Sequence, residues 1–327
     1  MRAIIFDGEN LRLESNHPAP RPAAGEAVVR LRRAIVSPFD GQAARGATGF
    51  KGVLGHQFVG IVETVHGDAA ASRRLVNQRV VGSIVSSCGE CDLCRKGLPM
   101  HCRQRTIMGV CDRDGCFAER FCIAAKQLVT VPNSVDDDRA AFAFEVASAL
   151  HASHQLTIAN RPYITILGDS ALALIAGQVM SKLNATVRIV GTDAGRLELC
   201  AKWSVKHRLL SDVGMRNDQD IVIDCTGDGL GLTSALSLVR PRGKIVLKSH
   251  CTSPAALASS PLDAIVRHEI EVIGSFAGSM SEAVGALAAN SIDVVSLISK
   301  RVPLRDGVAA IKALGNGGPS TLLTSEE

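Results

Sequence analysis

Four cysteines, Cys88, Cys91, Cys94 and Cys102, are separated by two, two and seven residues. That spacing lets one lobe of chain wrap four thiolates around a single tetrahedral ion, and Gly89, Gly97 and Pro99 supply the tight turns such convergence needs. An iron–sulfur cluster is the competing reading. A ferredoxin run, however, places its fourth cysteine after three residues and follows it with proline, whereas Cys102 comes after seven and precedes Arg103. One structural zinc per chain is therefore expected, in a lobe of about residues 86–105. Four thiolates close the coordination sphere, so this metal leaves no place for substrate. Its contribution is to folding, on the order of 10 kcal/mol or more in small zinc modules.

A second constellation begins at Tyr163-Ile-Thr-Ile-Leu167, followed by Gly168-Asp-Ser-Ala-Leu-Ala173. It reads as a strand, a turn and a helix start, where a glycine-rich loop would cradle a pyrophosphate on a helix N-terminus. Gly168 keeps the tight turn and Ala173 the small packing residue, but Ser170 replaces the glycine that lets phosphate approach the backbone. Asp193 closes the next strand about twenty residues on, where an acid accepts hydrogen bonds from an adenosine ribose; it could equally cap a helix starting at Ala194. His151 and His154, three apart on an expected helix, have no third ligand nearby and read as a solvated face.

These residues need a frame to hold them. Residues 1–150 read as β-rich and punctuated by Gly and Pro, with apolar positions such as Val28, Leu31 and Ile35 set among arginines. From Tyr163 onward, short apolar runs (163–167, 187–190, 221–224, 244–247 and 271–274) alternate with helical patterns, which predicts a doubly wound parallel sheet and an α/β fold overall. The length of 327 residues suits two domains, and 46% hydrophobic with 21% charged residues excludes wholesale disorder. A net charge of +4 without a basic stripe argues against nucleic-acid binding. The most apolar stretch, 164–180, is interrupted by Asp169 and Ser170, so no membrane span is expected. The opening residues lack a signal-peptide pattern, so a cytoplasmic protein is expected, with the cysteines outside the lobe as free thiols.

The run Gly-Val-Leu-Gly-His-Gln-Phe-Val-Gly over 52–60, the four-cysteine lobe, Asp114-Gly-Cys-Phe-Ala-Glu119 and the later βαβ unit occur in that order. Together they resemble the zinc-containing alcohol dehydrogenase branch of the medium-chain dehydrogenase/reductase family, over nearly the whole chain. The resemblance implies a GroES-like catalytic domain (1–150) and a Rossmann nucleotide-binding domain (151–275). A C-terminal return to the catalytic domain (276–327) follows, with hydride transfer in the cleft between them and assembly as a homodimer or homotetramer. It places Thr226 near the nicotinamide ribose, with Leu247-Lys248-Ser249 on the following strand. Thr192, where relatives that take NADP often carry Arg, favours NAD, with NADP the less favoured cofactor.

In that family a catalytic zinc is held by an early Cys, by the His of Gly-His-Glu, and by a Glu, Asp or Cys at the end of the first domain. Counted onto this chain, those positions are Ser37, His56 and Phe144, with Glu145 one residue later. If the count slips by one, Glu145 becomes the ligand; otherwise His56 alone remains. Asp40 matches the acid that orients the ligand His, Gln57 replaces the usual Glu, and Phe39 stands where a hydroxyl residue relays a proton. A neutral serine is a poor zinc ligand. The resemblance therefore implies an NAD-linked oxidoreductase that keeps its structural zinc and has an eroded catalytic metal site, with His56, Ser37, Asp40 and Glu145 at the reacting centre. With zinc, the substrate would be a small alcohol, aldehyde or ketone. Without it, the expectation is a conjugated carbonyl protonated by His56 or water. The alternative is a catalytically silent nucleotide-binding protein that acts as a sensor or subunit partner.

Overall fold

The computed structural model describes residues 1–227, 229, 231–248, 262–314 and 320–325; the expectation at Ser249 lies outside them. The eleven-residue strand Glu26–Val36 is the spine of the first half. Its alternation buries Ala27, Val29 and Leu31 completely, while its arginines stay partly solvated. It pairs antiparallel with Phe58–Val65, Arg120–Ala124 and the late strand Ser320–Thr324, which thus joins the main sheet of the first half. Within the β-rich first half, the segment 117–131 holds two strands, Arg120–Ala124 and Leu128–Thr130, separated by a 3₁₀ turn.

The second sheet is parallel, with the strand order Lys206–Leu209, Thr186–Gly191, Tyr163–Leu167, Gln219–Asp224, Val239–Leu247, Glu271–Gly274. From the central strand Tyr163–Leu167 the chain winds first one way and then the other. The carboxyl ends on either side of that reversal form the crevice where such sheets take ligands. Its inner strands are buried on both faces, as the continuous apolar runs required: Ile164, Ile166, Val222, Ile223 and Ile245 are fully covered.

The helix Ala143–His154 joins the two halves. With Ala171–Met180 it packs into one apolar cluster that takes Ile35, Val59 and Val81 from the first sheet and Ile164, Ile166 and Ile223 from the second. Its start is fixed by the short helix Asp137–Ala141, whose acids meet the sheet's arginines. Asp137 pairs with Arg32 and Arg79 at 3.0 Å each, and Asp138 with Arg33 at 3.1 Å. Among the described residues no helix is long and apolar enough to cross a membrane.

Candidate active site

The strand Glu26–Val36 delivers its last residues to a cleft lined among others by Ser37, Phe39, His56, Phe144, Glu145 and Lys248, with Gln57, Ser170 and Thr226 on its walls. Ser37 caps the helix Pro38–Ala44 in a reciprocal box with Asp40. Its backbone N–H and hydroxyl both donate to Asp40 Oδ2, at 2.8 and 2.7 Å, and its Oγ accepts from Asp40 N at 3.4 Å. The hydroxyl proton is thus committed to a neighbouring carboxylate.

Asp40 is fully buried, and its other oxygen, Oδ1, lies 3.4 Å from His56 Nδ1. A carboxylate facing Nδ1 favours the tautomer protonated there and turns Nε2 to the cleft. The imidazole is clamped edge-on between Phe39 and Phe144, with centroids at 5.7 and 5.6 Å and both interplanar angles 86°. Phe144, at the counted third-ligand position, therefore presents a ring to His56. The turn beneath is packed backbone on backbone: Gly55 is left-handed at φ +94°, and a Cβ there would fall 2.2 Å from the Phe117 ring.

Glu145 enters from the helix Ala143–His154 and is buried beside this group. Burial pushes its carboxyl up to about 7; a hydrogen bond with the Gln57 side chain and the nearby His56 oppose the rise, and Asp40 adds to it. Asp40 Oδ1, His56 Nδ1, Gln57 Oε1 and Glu145 Oε2 are all buried without a hydrogen-bond partner, a concentration of unsatisfied polar atoms that structural cores avoid.

The raised pKa of Glu145 bears on stability. The folded protein holds the Glu145 proton more tightly than the unfolded chain does. The stability this supplies is complete below the ordinary carboxyl value of 4.5 and is lost as pH rises through about 7. Glu145→Gln should therefore gain about 3 kcal/mol on the natural protein between pH 5 and pH 8. Unfolding curves at the two pH values check this, and an equal gap at both would contradict it.

The loop that follows Tyr163–Leu167 turns at Gly168, φ +111°, where a Cβ would meet Cys225 O at 2.9 Å. Ser170 caps the ten-residue helix Ala171–Met180: its Oγ accepts from Ala173 N at 3.4 Å and donates to Cys225 O at 3.5 Å. Ala171 and Leu172 of the first turn line the cleft, and Ala173 is buried in the packing beneath. Thr226 is held by Asp224, whose Oδ1 accepts from its backbone N–H at 2.9 Å and its hydroxyl at 2.7 Å. Asp193 caps the helix Ala194–Leu197, accepting from Arg196 N at 3.1 Å, and its other oxygen lies 3.3 Å from Arg196 Nε. The second reading of Asp193, as a helix cap, thus holds in its geometry, though the side chain stays half exposed.

Three residues that sequence reasoning gave no role belong to this region. Asp169 reaches across from the loop to accept from Thr192 N at 2.7 Å and Asp193 N at 2.9 Å, and it pairs with Arg196 at 3.2 Å. Gln57 stood only as a departure from Glu; its side chain lies beside Glu145 and opposes the rise of that carboxyl. Lys248 ends the strand Val239–Leu247 inside the cleft. Burial brings its amine down to about 8, with the Cys225 thiol opposing. A lysine following a buried strand was the one available signal for it.

Away from the cleft, the four lobe cysteines converge. Cys88 Sγ lies 4.0 Å from Cys94 Sγ and 3.5 Å from Cys102 Sγ, and Cys91 Sγ lies 3.8 Å from Cys102 Sγ. Zinc–sulfur bonds of about 2.3 Å make a tetrahedron with edges of about 3.8 Å, so these thiolates fit one zinc. Gly89 and Gly97 are both left-handed, as the turns required. Among the described residues this is the only group of three or more such side chains whose donor atoms come close enough to share an ion. His154 pairs with Glu282 at 3.1 Å on the surface.

Two family models match the chain: the alcohol dehydrogenase GroES-like domain over residues 23–133, and the zinc-binding dehydrogenase domain over residues 171–291. An L-threonine 3-dehydrogenase of Coxiella burnetii is 24% identical, covering 95% of this chain and 94% of its own. Among solved structures, an alcohol dehydrogenase (rspB) of Escherichia coli CFT073, complexed with NADH, superposes with a TM-score of 0.87 at 23% identity, covering 99% of both chains. Alcohol dehydrogenase TADH of Thermus sp. ATN1 gives 0.86 at 23% identity, covering both chains fully.

Proposed function

Because the chain belongs to the zinc-containing alcohol dehydrogenase branch of the medium-chain dehydrogenase/reductase family, we propose that it is a nicotinamide-dependent oxidoreductase that works without a catalytic zinc. The observation that carries this reading is the imidazole of His56, clamped between two phenylalanines with Ser37 bonded to Asp40. A zinc at that point would need two further anionic or imidazole ligands. Ser37 is neutral and engaged, Phe144 offers carbon, and Asp40 and Glu145 do not converge with His56 on one ion. The residues present do not fit a catalytic zinc.

They do fit a dinucleotide. The first turn of Ala171–Met180 offers backbone N–H groups and a helix N-terminus to the diphosphate, and Thr226 borders the nicotinamide side. Asp193 keeps exposed acceptor capacity for a ribose. Arg196 is already neutralised by Asp169 and Asp193, which favours NAD over NADP. The bound dinucleotide supplies or accepts the hydride.

The protein's own part is the proton. His56 Nε2 faces the cleft and donates to the enolate of a conjugated carbonyl once hydride has reached its β-carbon. Asp40 stabilises the imidazolium before that transfer. Phe39 and Phe144 hold the ring in one orientation and keep water from it, and Glu145 holds a second proton in the same buried group.

The expected homo-oligomer finds support in the edge strand Glu271–Gly274, where Val272 is exposed, and in Leu262 and Val266 on the helix before it, exposed by 62% and 79%. A solution mass equal to that of a single chain would reject it.

The function is tested by NADH and NADPH oxidation with a panel of enones and aldehydes, alongside alcohol oxidation, each with and without a zinc chelator. Enone reduction that survives chelation supports the proposal. Alcohol turnover that the chelator abolishes contradicts it. Dinucleotide binding with no turnover of any substrate would point to the silent sensor.

A further inference from the structure

The cleft walls are mostly apolar, formed by Val36, Pro38, Phe39, Ile84, Val110 and Phe276. Among the described residues that line the cleft, the charged side chain apart from His56 and Glu145 is Lys248, which is 6% exposed. Its Nζ donates to Phe276 O at 2.7 Å and Ser275 Oγ at 3.2 Å, which leaves one of its three N–H bonds uncommitted. Among the described residues no carboxylate lies within ion-pair distance of it. A buried ammonium held by two neutral oxygens and no counter-ion is costly unless something that enters the site compensates the charge.

The position of Lys248 indicates which ligand does so. Phe276 O also accepts from Ser148 Oγ at 3.0 Å, and Ser148 lies one helical turn beyond Phe144 and Glu145. Lys248 is therefore tied to the wall that carries the reacting centre, whereas the diphosphate of a dinucleotide belongs at the start of the helix Ala171–Met180. We propose that Lys248 anchors a carboxylate on the substrate, so that the cleft takes carbonyl compounds with an apolar body and an acid group. The substrate half of this inference rests on the oxidoreductase reading; the anion site itself does not. A monoanion is the match for one ammonium beside a group that already contains Asp40 and Glu145.

Benzoate and its neutral isostere benzamide are suitable probes, titrated calorimetrically into the full chain with and without NADH. Benzoate should bind about 30-fold tighter than benzamide, the discrimination of a hydrogen bond to a charged group. Lys248→Met should reduce the ratio to about threefold or less, while Lys248→Arg, which keeps the charge, retains a clear preference. Equal binding of the two probes to the natural protein would overturn the proposal, as would a preference that survives Lys248→Met. So would a Lys248→Met variant that loses NADH affinity and keeps its benzoate preference, since the lysine would then serve the cofactor. Benzoate discrimination without turnover of any carbonyl compound would sink the oxidoreductase reading and leave the anion site standing.

Discussion

Replacing Cys102 by Ser should reduce bound zinc from one per chain to near zero and unfold the lobe of residues 86–105. Cys102 is the buried member of the four, and its sulfur also accepts backbone N–H bonds from Cys88 and Gln104 at 3.4 Å each. Removing one thiolate leaves three ligands that cannot close the sphere, and with the metal goes folding free energy on the order of 10 kcal/mol. Little else holds the lobe: its regular structure is the two-residue pair Val85–Ser86 with Thr106–Ile107, one short helix and a 3₁₀ turn. Tryptic cleavage at Arg95, Lys96 and Arg103 should accelerate by about 100-fold or more. Ile84, Ile107 and Val110 link the lobe to the cleft wall, so ligand affinity should fall as well. A metal-free variant that resists trypsin as the natural protein does would refute this account of the lobe.

The second large effect is expected at Gly115. A Cβ there would lie 2.2 Å from Gly55 O and 2.3 Å from Leu54 O, backbone atoms that cannot swing aside. Those carbonyls accept from Cys116 N at 2.9 Å and Phe117 N at 2.8 Å, so the segment cannot retreat without breaking the hydrogen bonds that seat the turn before His56. Gly115→Ala should cost about 3 kcal/mol and lower the melting temperature by about 5 °C, through overpacking against rigid backbone. Gly285→Ala is the contrast. It lies in the helix Met280–Ala288 with nothing within 4 Å of the added methyl, and should be neutral or slightly stabilising. Equal melting temperatures for the two variants would show that backbone contact at Gly115 does not hold the turn.

Much of this architecture is legible in the sequence where the signal is local. The cysteine spacing carries the lobe because four ligands within fifteen residues of chain have few other ways to converge. The apolar run over 163–167 matches a strand residue for residue, since a strand buried on both faces must be continuously apolar; 271–274 is likewise a strand, but at the sheet edge and mostly exposed. The strand Lys206–Leu209 escaped notice because it lies at the sheet edge and reads Lys-His-Arg-Leu, with no apolar run to betray it.

The reacting centre was legible as a set of departures but not as an arrangement. That Ser37 would cap a helix with Asp40 is a local pattern. That Gln57 would lie beside Glu145, 88 positions on, or that Lys248 would be held by Ser275 and Phe276 with no carboxylate among the described residues at ion-pair distance, depends on contacts that no local pattern encodes. Asp193 illustrates the limit from the other side: one side chain satisfies both the ribose-acceptor and the helix-cap patterns, and only its Arg196 contacts tell how it is engaged.

The central claim, a retained structural zinc beside a metal-free reacting centre, is tested most directly by zinc stoichiometry of the purified chain and its His56→Gln variant. One zinc per chain in both proteins is the predicted result. Two in the natural protein, falling to one when His56 is replaced, would contradict it.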